Sequence, residues 1–211
     1  MKLMILIPCM DMVHTDFMRS LLLVDHAGHD ISYGIKRSSL IYDSRNQLLD
    51  TARKSGVDRV LWLDSDMAVP MNAIRQLSED IDGGCDIVSG IYYKRRPPCT
   101  PVIYKECRML TKGIYKLPTA KAYEGYPKDS LFEVEAFGFG CVMMTIEAAD
   151  RITNSLGLMP FMPTGGFGED LSFCMRARHV GLKLWADSRV RCGHIGLHTY
   201  TEEDYERHNH K

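Results

Sequence analysis

The chain has 211 residues, 45% of them apolar and 25% charged, which is enough to fill one core and too apolar for a disordered segment. Its formal net charge is −1, from 26 Lys plus Arg against 27 Asp plus Glu, so no global field draws it to nucleic acid or anionic lipid. Seven cysteines, odd in number, scattered and without a CxxC pair, argue against a disulfide framework or a thiolate zinc site and lead us to expect reduced thiols in a cytoplasmic compartment.

No Pro/Gly/Ser-rich stretch divides the chain, so a single domain over 1–211 is expected. The apolar opening at 2–7 is far too short for a membrane span, and Pro8 is expected to end it as a buried strand. Thr15 or Asp16 is suited to cap a helix carrying Phe17, Leu21, Leu22 and Val24, followed by a strand at 30–35. The spacing of Leu48, Leu49 and Ala52 predicts a helix over 41–54, stopped by Gly56. A strand at 59–63 is apolar almost throughout, as a central parallel strand buried on both faces must be, and acidic residues come only where it stops. Pro70 suits the first turn of a helix through Met71, Ile74 and Leu77, and 87–91 supplies another strand.

This β-α-β-α-β-α-β order implies an α/β fold with a mostly parallel central sheet flanked by helices, and ligands beyond the carboxyl ends of its strands. From 92 to 128 the pattern breaks into Tyr, Lys, Arg, Pro and Gly, which reads as a long functional loop with short strands. Strand character returns at 132–145. Helices follow at 146–156 and from about Glu169 onward, then a strand at 182–186 and a polar, fraying tail from 201.

The chemistry starts at Asp64-Ser65-Asp66, which emerges from the buried strand at the ligand-binding edge. Two carboxylates this close repel unless something positive joins them, and a hard divalent cation such as Mg2+ or Mn2+ does so while accepting phosphate oxygens. A solvated turn or a helix cap is the plainer account of an arbitrary Asp-x-Asp. Further along stand Gly165-Gly166-Phe167-Gly168-Glu169-Asp170 at a helix start, where acids are independently favoured by the macrodipole, and Cys192-Gly193-His194-Ile195-Gly196.

Arg45-Asn46 and the run Val60-Leu61-Trp62-Leu63-Asp64-Ser65-Asp66-Met67 together resemble the nucleotide-sugar half of GT-A (Rossmann-like) glycosyltransferases, in particular the family-2-like and Anp1-like groups. The Gly-Phe-Gly-Glu-Asp and Cys-Gly-His blocks resemble the acceptor-side acidic motif and the terminal metal-ligand motif of those enzymes. The resemblance implies a nucleotide-sugar half at about 1–91, an acceptor half at about 92–200 and a tail at 201–211. It implies a hexosyl transfer from a UDP- or GDP-sugar to an acceptor hydroxyl, with inversion favoured over retention. Asp66 would ligate Mn2+ or Mg2+, Asp64 would bind it through water or touch the ribose, and His194 would complete the set, with His198 as fallback. Asp170 would act as general base, and Glu169 would orient the acceptor or cap the helix.

Five further positions have two readings each. Arg45 approaches the donor nucleotide or forms a surface salt bridge. Arg95, within Lys94-Arg95-Arg96, reaches the diphosphate or belongs to a solvated face. Asp11, in the first loop, contacts base or ribose or caps the next helix. Phe137 and Phe139, in Phe-Gly-Phe-Gly, floor the acceptor site or pack in the core. The acceptor is left open among a glycan, a lipid-linked sugar, a protein side chain and a hydroxymethylated nucleobase. Rival functions are a phosphotransferase of haloacid dehalogenase type, whose aspartates belong on the first strand, and a catalytically silent carbohydrate-binding protein on the same fold.

Overall fold

The computed structural model describes residues 1–112, 115–196 and 198–209. The first half alternates strand and helix: β1 (Lys2–Cys9), α1 (Thr15–Leu23), β2 (Asp30–Arg37), α2 (Ile41–Ser55), β3 (Arg59–Leu63), a two-residue β4 (Met67–Ala68), α3 (Ala73–Asp82) and β5 (Ile87–Ile91). The second half contains β6 (Ile103–Lys112), β7 (Tyr115–Ala122), β8 (Leu131–Val134), β9 (Ala136–Phe137), β10 (Cys141–Thr145), α4 (Ile146–Leu156), α5 (Glu169–His179), β11 (Leu184–Arg191), β12 (Gly193–His194) and α6 (Glu202–Asn209).

Among the described residues the central sheet has seven strands in the order β2-β1-β3-β10-β5-β11-β8. β2, β1, β3, β5 and β11 run the same way, and β10 and β8 oppose them, so the sheet is mostly parallel with two reversed strands. Strand alternation sends Met4, Leu6, Val60 and Trp62 to a core shared with α2, α4 and α5, and Leu3, Ile5, Ile7, Leu61 and Leu63 to a core shared with α1 and α3. Every residue of β3 is buried, which is why its sequence carries no polar alternation. Truncating Trp62, fully buried beside Phe139 and Phe161, would cost about 3–5 kcal/mol.

Local chemistry accounts for the helix ends. Gly56 closes α2 at φ 64°, a left-handed cap that a side chain would strain, and the Thr145 hydroxyl accepts from the Ala148 amide to start α4. The cap of α1 is His14, not Thr15 or Asp16: its Nδ1 accepts from the Asp16 amide.

Several expectations are corrected. Pro8 does not end β1, because β2 pairs with the strand through Pro8 and Cys9. The helix after Pro70 begins three residues later, at Ala73, whose amide bonds the Pro70 carbonyl in a turn, and Met71 is exposed. The segment 92–128 is not mainly loop: β6 and β7 form a long antiparallel hairpin joined to β9. Its polar alternation is that of a ribbon solvated on one face. Of the expected tail, Glu202–Asn209 form α6, where Tyr205 stacks on Tyr93 and Glu202 accepts from the Tyr126 hydroxyl, while 210–211 lie outside the described residues.

Candidate active site

The carboxyl ends of β1, β2, β3 and β5 open on one side of the sheet, and the segments leaving them carry the polar residues of the site. The start of α5 and the short β12 approach from the second half of the chain. β12 pairs antiparallel with β4, setting His194 opposite Met67, and the Ile195 amide bonds the Asp66 carbonyl at 2.7 Å. Backbone pairing therefore delivers a residue near position 194 to one at 66.

Arg45 is the hub. It comes from the first turns of α2, is only 2% exposed, and lies within 5.3–5.9 Å of the Trp62, Phe139 and Phe161 rings. Its Nη2 donates to Asp64 Oδ1 at 2.7 Å and its Nε to Glu169 Oε1 at 3.4 Å. One buried cation thus ties a carboxylate of the first half of the chain to one of the second half, a contact that stabilises only because both are present. Burial pushes the Asp64 carboxyl above its usual range despite the Arg45 charge, and Asp66 adds to the push. The Asp64 amide also bonds the Gly140 carbonyl, whose own amide donates to the Tyr92 hydroxyl. A Cβ at Gly138 would sit 2.0 Å from that hydroxyl, so glycine here makes room for Tyr92.

Asp66 has different neighbours. Its Oδ2 lies 2.9 Å from Arg95 Nη1 and 3.4 Å from His194 Nε2. Burial raises its pKa, but the His194 contact and the Arg95 charge outweigh that and hold it below the usual value. His194 Nδ1 stands 2.7 Å from the Tyr93 carbonyl, which can only accept, so Nδ1 carries a proton and Nε2 is turned to the carboxylate. The Tyr92 ring meets the imidazole edge-on and fixes its plane.

At the start of α5, Gly168 provides no side-chain cap and Glu169 and Asp170 occupy the first turn. Asp170 Oδ1 accepts from the Leu171 amide at 2.7 Å. Burial, reinforced by the Glu169 charge, pushes Asp170 up to about 6, so its proton comes off near neutrality.

Three adjoining depressions lie around Asp64, Asp66, Arg95 and His194, and none of them is lined by Glu169 or Asp170. One of about 250 Å³ is lined by Pro8, Cys9, Met10, Ser38, Ser39, Ile41 and Asp64 to Asp66. A second, about 440 Å³, runs from Met12 and His14 past Asp66 and Arg95 to Gly196, and a third, about 330 Å³, lies among Tyr92, Lys94, Arg95, Arg96 and His194. Asp66 borders the first two and Arg95 the last two. A larger cavity of about 540 Å³ lies between the hairpin and β8, lined by Lys105, Glu133 and Arg178, away from all of these acids; size alone does not locate the site.

The structure brings together Asp64, Asp66, Arg45, Arg95, His194, Glu169 and Asp170. It separates Asp11, which is exposed and pairs with Arg37, and His198, whose Nε2 faces Asp204 at 3.1 Å. Arg45 neither reaches solvent nor forms a surface salt bridge. Phe137 and Phe139 are fully buried, with Phe139 under Arg45, so they pack as core. Sequence reading passed over Ser38 and Ser39 in the first depression; a serine pair between a strand and a helix at the ligand edge was the available signal. Tyr92 and the Tyr93 carbonyl carried no sequence signal. Among the described residues, no three His, Cys, Asp or Glu side chains are arranged to hold a metal unaided, and no helix is long and apolar enough to cross a membrane.

The architecture is the α/β fold of the GT-A type. Among solved structures it is similar to A197 from STIV, with a TM-score of 0.70 and 20% identity over 97% of this chain and 92% of that one. It is also similar to residues 1–349 of TarS from S. aureus, with a TM-score of 0.54 and 14% identity over 89% of this chain, spanning 58% of that chain. No protein-family model and no curated protein matches the chain.

Proposed function

We propose that this protein transfers a sugar from a nucleoside-diphosphate sugar to an acceptor hydroxyl, using a divalent cation held at Asp66 and His194. The observation that carries the reading is the pairing of Asp66 Oδ2 with His194 Nε2 at 3.4 Å while Nδ1 is committed to the Tyr93 carbonyl. Two electron-pair donors turned toward each other need a proton or a metal between them, and a carbonyl-oriented imidazole beside a carboxylate suits Mn2+ or Mg2+. Such a cation would take its remaining ligands from donor oxygens and water, and when bound it offsets charge growing on the departing nucleoside diphosphate.

The chain's own residues supply the rest. Ser38, Ser39 and the 8–10 segment border a depression fit for the nucleoside, and Arg95 stands where a diphosphate oxygen can replace the Asp66 carboxylate as its partner. Arg45, too buried to touch the donor, holds Asp64 and Glu169 in place. Asp170, raised to about 6, is ionised at neutral pH yet basic enough to take the proton of an attacking hydroxyl, which favours inversion. Both halves of the chain contribute to one site, which supports a single functional unit over 1–211.

Donor hydrolysis with and without Mn2+, together with Mn2+ binding by calorimetry, tests this reading. Asp66→Ala should lower the Mn2+-dependent rate by about 100-fold or more and weaken Mn2+ binding. Equal rates and equal binding in both proteins would remove the metal role. NMR of the product anomer separates inversion from retention.

A further inference from the structure

The two edges of the central sheet are treated differently. β8 is four residues long, carries Glu133 paired with Lys183, and lies against the hairpin segment through Phe132 and Tyr123. β2 is eight residues long, and among the described residues no strand pairs with its outer side. It also leaves Tyr33 47% and Ile35 65% exposed. A long, regular, partly apolar edge is a template for another strand.

The hydrogen-bonding parity of β2 restricts what that strand can be. The Asp30 amide bonds the Met1 carbonyl and the Ser38 amide bonds the Cys9 carbonyl, so even-numbered residues turn their backbone groups toward β1. Ile31, Tyr33, Ile35 and Arg37 then present theirs outward. In an antiparallel pair of identical strands, outward residues must face outward residues, so the axes that pair at least five residues of each β2 fall on Ser32, Tyr33, Gly34 or Ile35, and one on Ser32 leaves Ile35 and Lys36 without partners in the other strand. An axis on Gly34 sets Ile31 against Arg37. One on Ile35 sets Tyr33 against Arg37 and leaves Asp30 without a partner across the axis. With the axis on Tyr33, Ile31 faces Ile35, Asp30 faces Lys36, and Tyr33 faces its own copy.

The geometry points to β2 as the interface of a two-fold homodimer, two copies pairing antiparallel about Tyr33 into a continuous sheet. One face of the junction then carries Ile31, Tyr33 and Ile35 from each copy, and the other carries two Asp30–Lys36 pairs of opposite charge. The contact is self-complementary, as a closed two-fold interface requires. Because the strands run oppositely, the two candidate sites open in opposite directions and both stay accessible.

Light scattering on the full chain after size exclusion should give twice 24.0 kDa for the wild type. Ile35 is exposed, so Ile35→Lys should leave the circular dichroism spectrum unchanged while weakening association about tenfold or more. Tyr33→Cys places two sulfurs across the axis, where facing Cα atoms about 5.5 Å apart permit a disulfide, and should give a covalent dimer on mild oxidation. Ile35→Cys should not, since it faces Ile31. A wild type that stays at 24.0 kDa at its highest soluble concentration, or a dimer that survives Ile35→Lys undiminished, overturns the proposal. Cross-linking through Ile35→Cys and not Tyr33→Cys overturns the register.

Discussion

Two clusters in this molecule wrap acids around an arginine, and they are built in opposite ways. At the candidate site the arginine is the buried member: Arg45 is 2% exposed, while Asp64 and Glu169 are 28% and 15% exposed and Asp64 borders an open depression. Between α3 and β11 the acids are the buried members. Asp80 and Asp187 are 5% and 0% exposed, and Arg189 reaches in from the surface to bond both, at 2.9 Å each. The carboxyl shifts are comparable, with Asp80 raised to about 7 by burial and the neighbouring Asp187, and Asp170 to about 6. A perturbed acid therefore does not by itself mark a site. What distinguishes the first cluster is that one of its acids, Asp64, borders space a ligand can enter, whereas Asp80 and Asp187 line none of the cavities described above.

Four outcomes test that distinction, beginning with the largest. Asp170→Asn should reduce transfer about 1000-fold while leaving donor binding intact, measured by initial rates and calorimetry. Near-normal turnover would place Asp170 in the same structural category as Asp80. In the wild type, transfer should rise tenfold per pH step below about 6 and flatten above it, because the base is active only when ionised.

Arg45→Met leaves the part-buried Asp64 and Glu169 without their cation and should cost about 3 kcal/mol in chemical denaturation. Arg189→Met should cost much less, since Asp80 and Asp187 can share a proton in its absence. Equal costs would erase the contrast between the clusters.

The smallest effect is a pH-dependent one. Asp80 holds its proton to about pH 7 when folded and to about 3.8 when unfolded. Between those values the unfolded chain releases a proton that the folded chain keeps, so this residue's contribution to stability falls as pH rises through the window and is flat above it. Asp80→Asn should remove that loss, so its stability should fall less than that of the wild type as pH rises toward 7, with transfer unchanged. A drop in transfer would extend the site to the second cluster.

Much of the scaffold was legible in the residues. The β3 boundaries, the α4 boundaries and the Gly56 cap follow from apolar runs, a Thr cap and a left-handed glycine, all of which act within a few residues. The hairpin at β6 and β7 was not, because a solvated ribbon alternates polar residues that read as loop when no partner is known. α6 was missed for a related reason: its sequence is polar, and tertiary contacts hold it, among them Tyr205 on Tyr93, Glu202 with Tyr126 and Arg191, and Asp204 with His198.

The site divides the same way. The sequence by itself determined that carboxylates follow a buried strand, that others begin a helix, and that a glycine-flanked histidine comes late, because strand burial and helix-terminus preferences are local. Only the tertiary structure decided that Arg45 lies beneath the acids on an aromatic bed, that Asp66 faces His194 and Arg95, and that Asp11 stands aside. Those contacts join residues up to 128 positions apart, as between 66 and 194. They depend on the pairing of β4 with β12 and on the desolvation of Arg45, neither of which exists until the two halves of the chain have packed together.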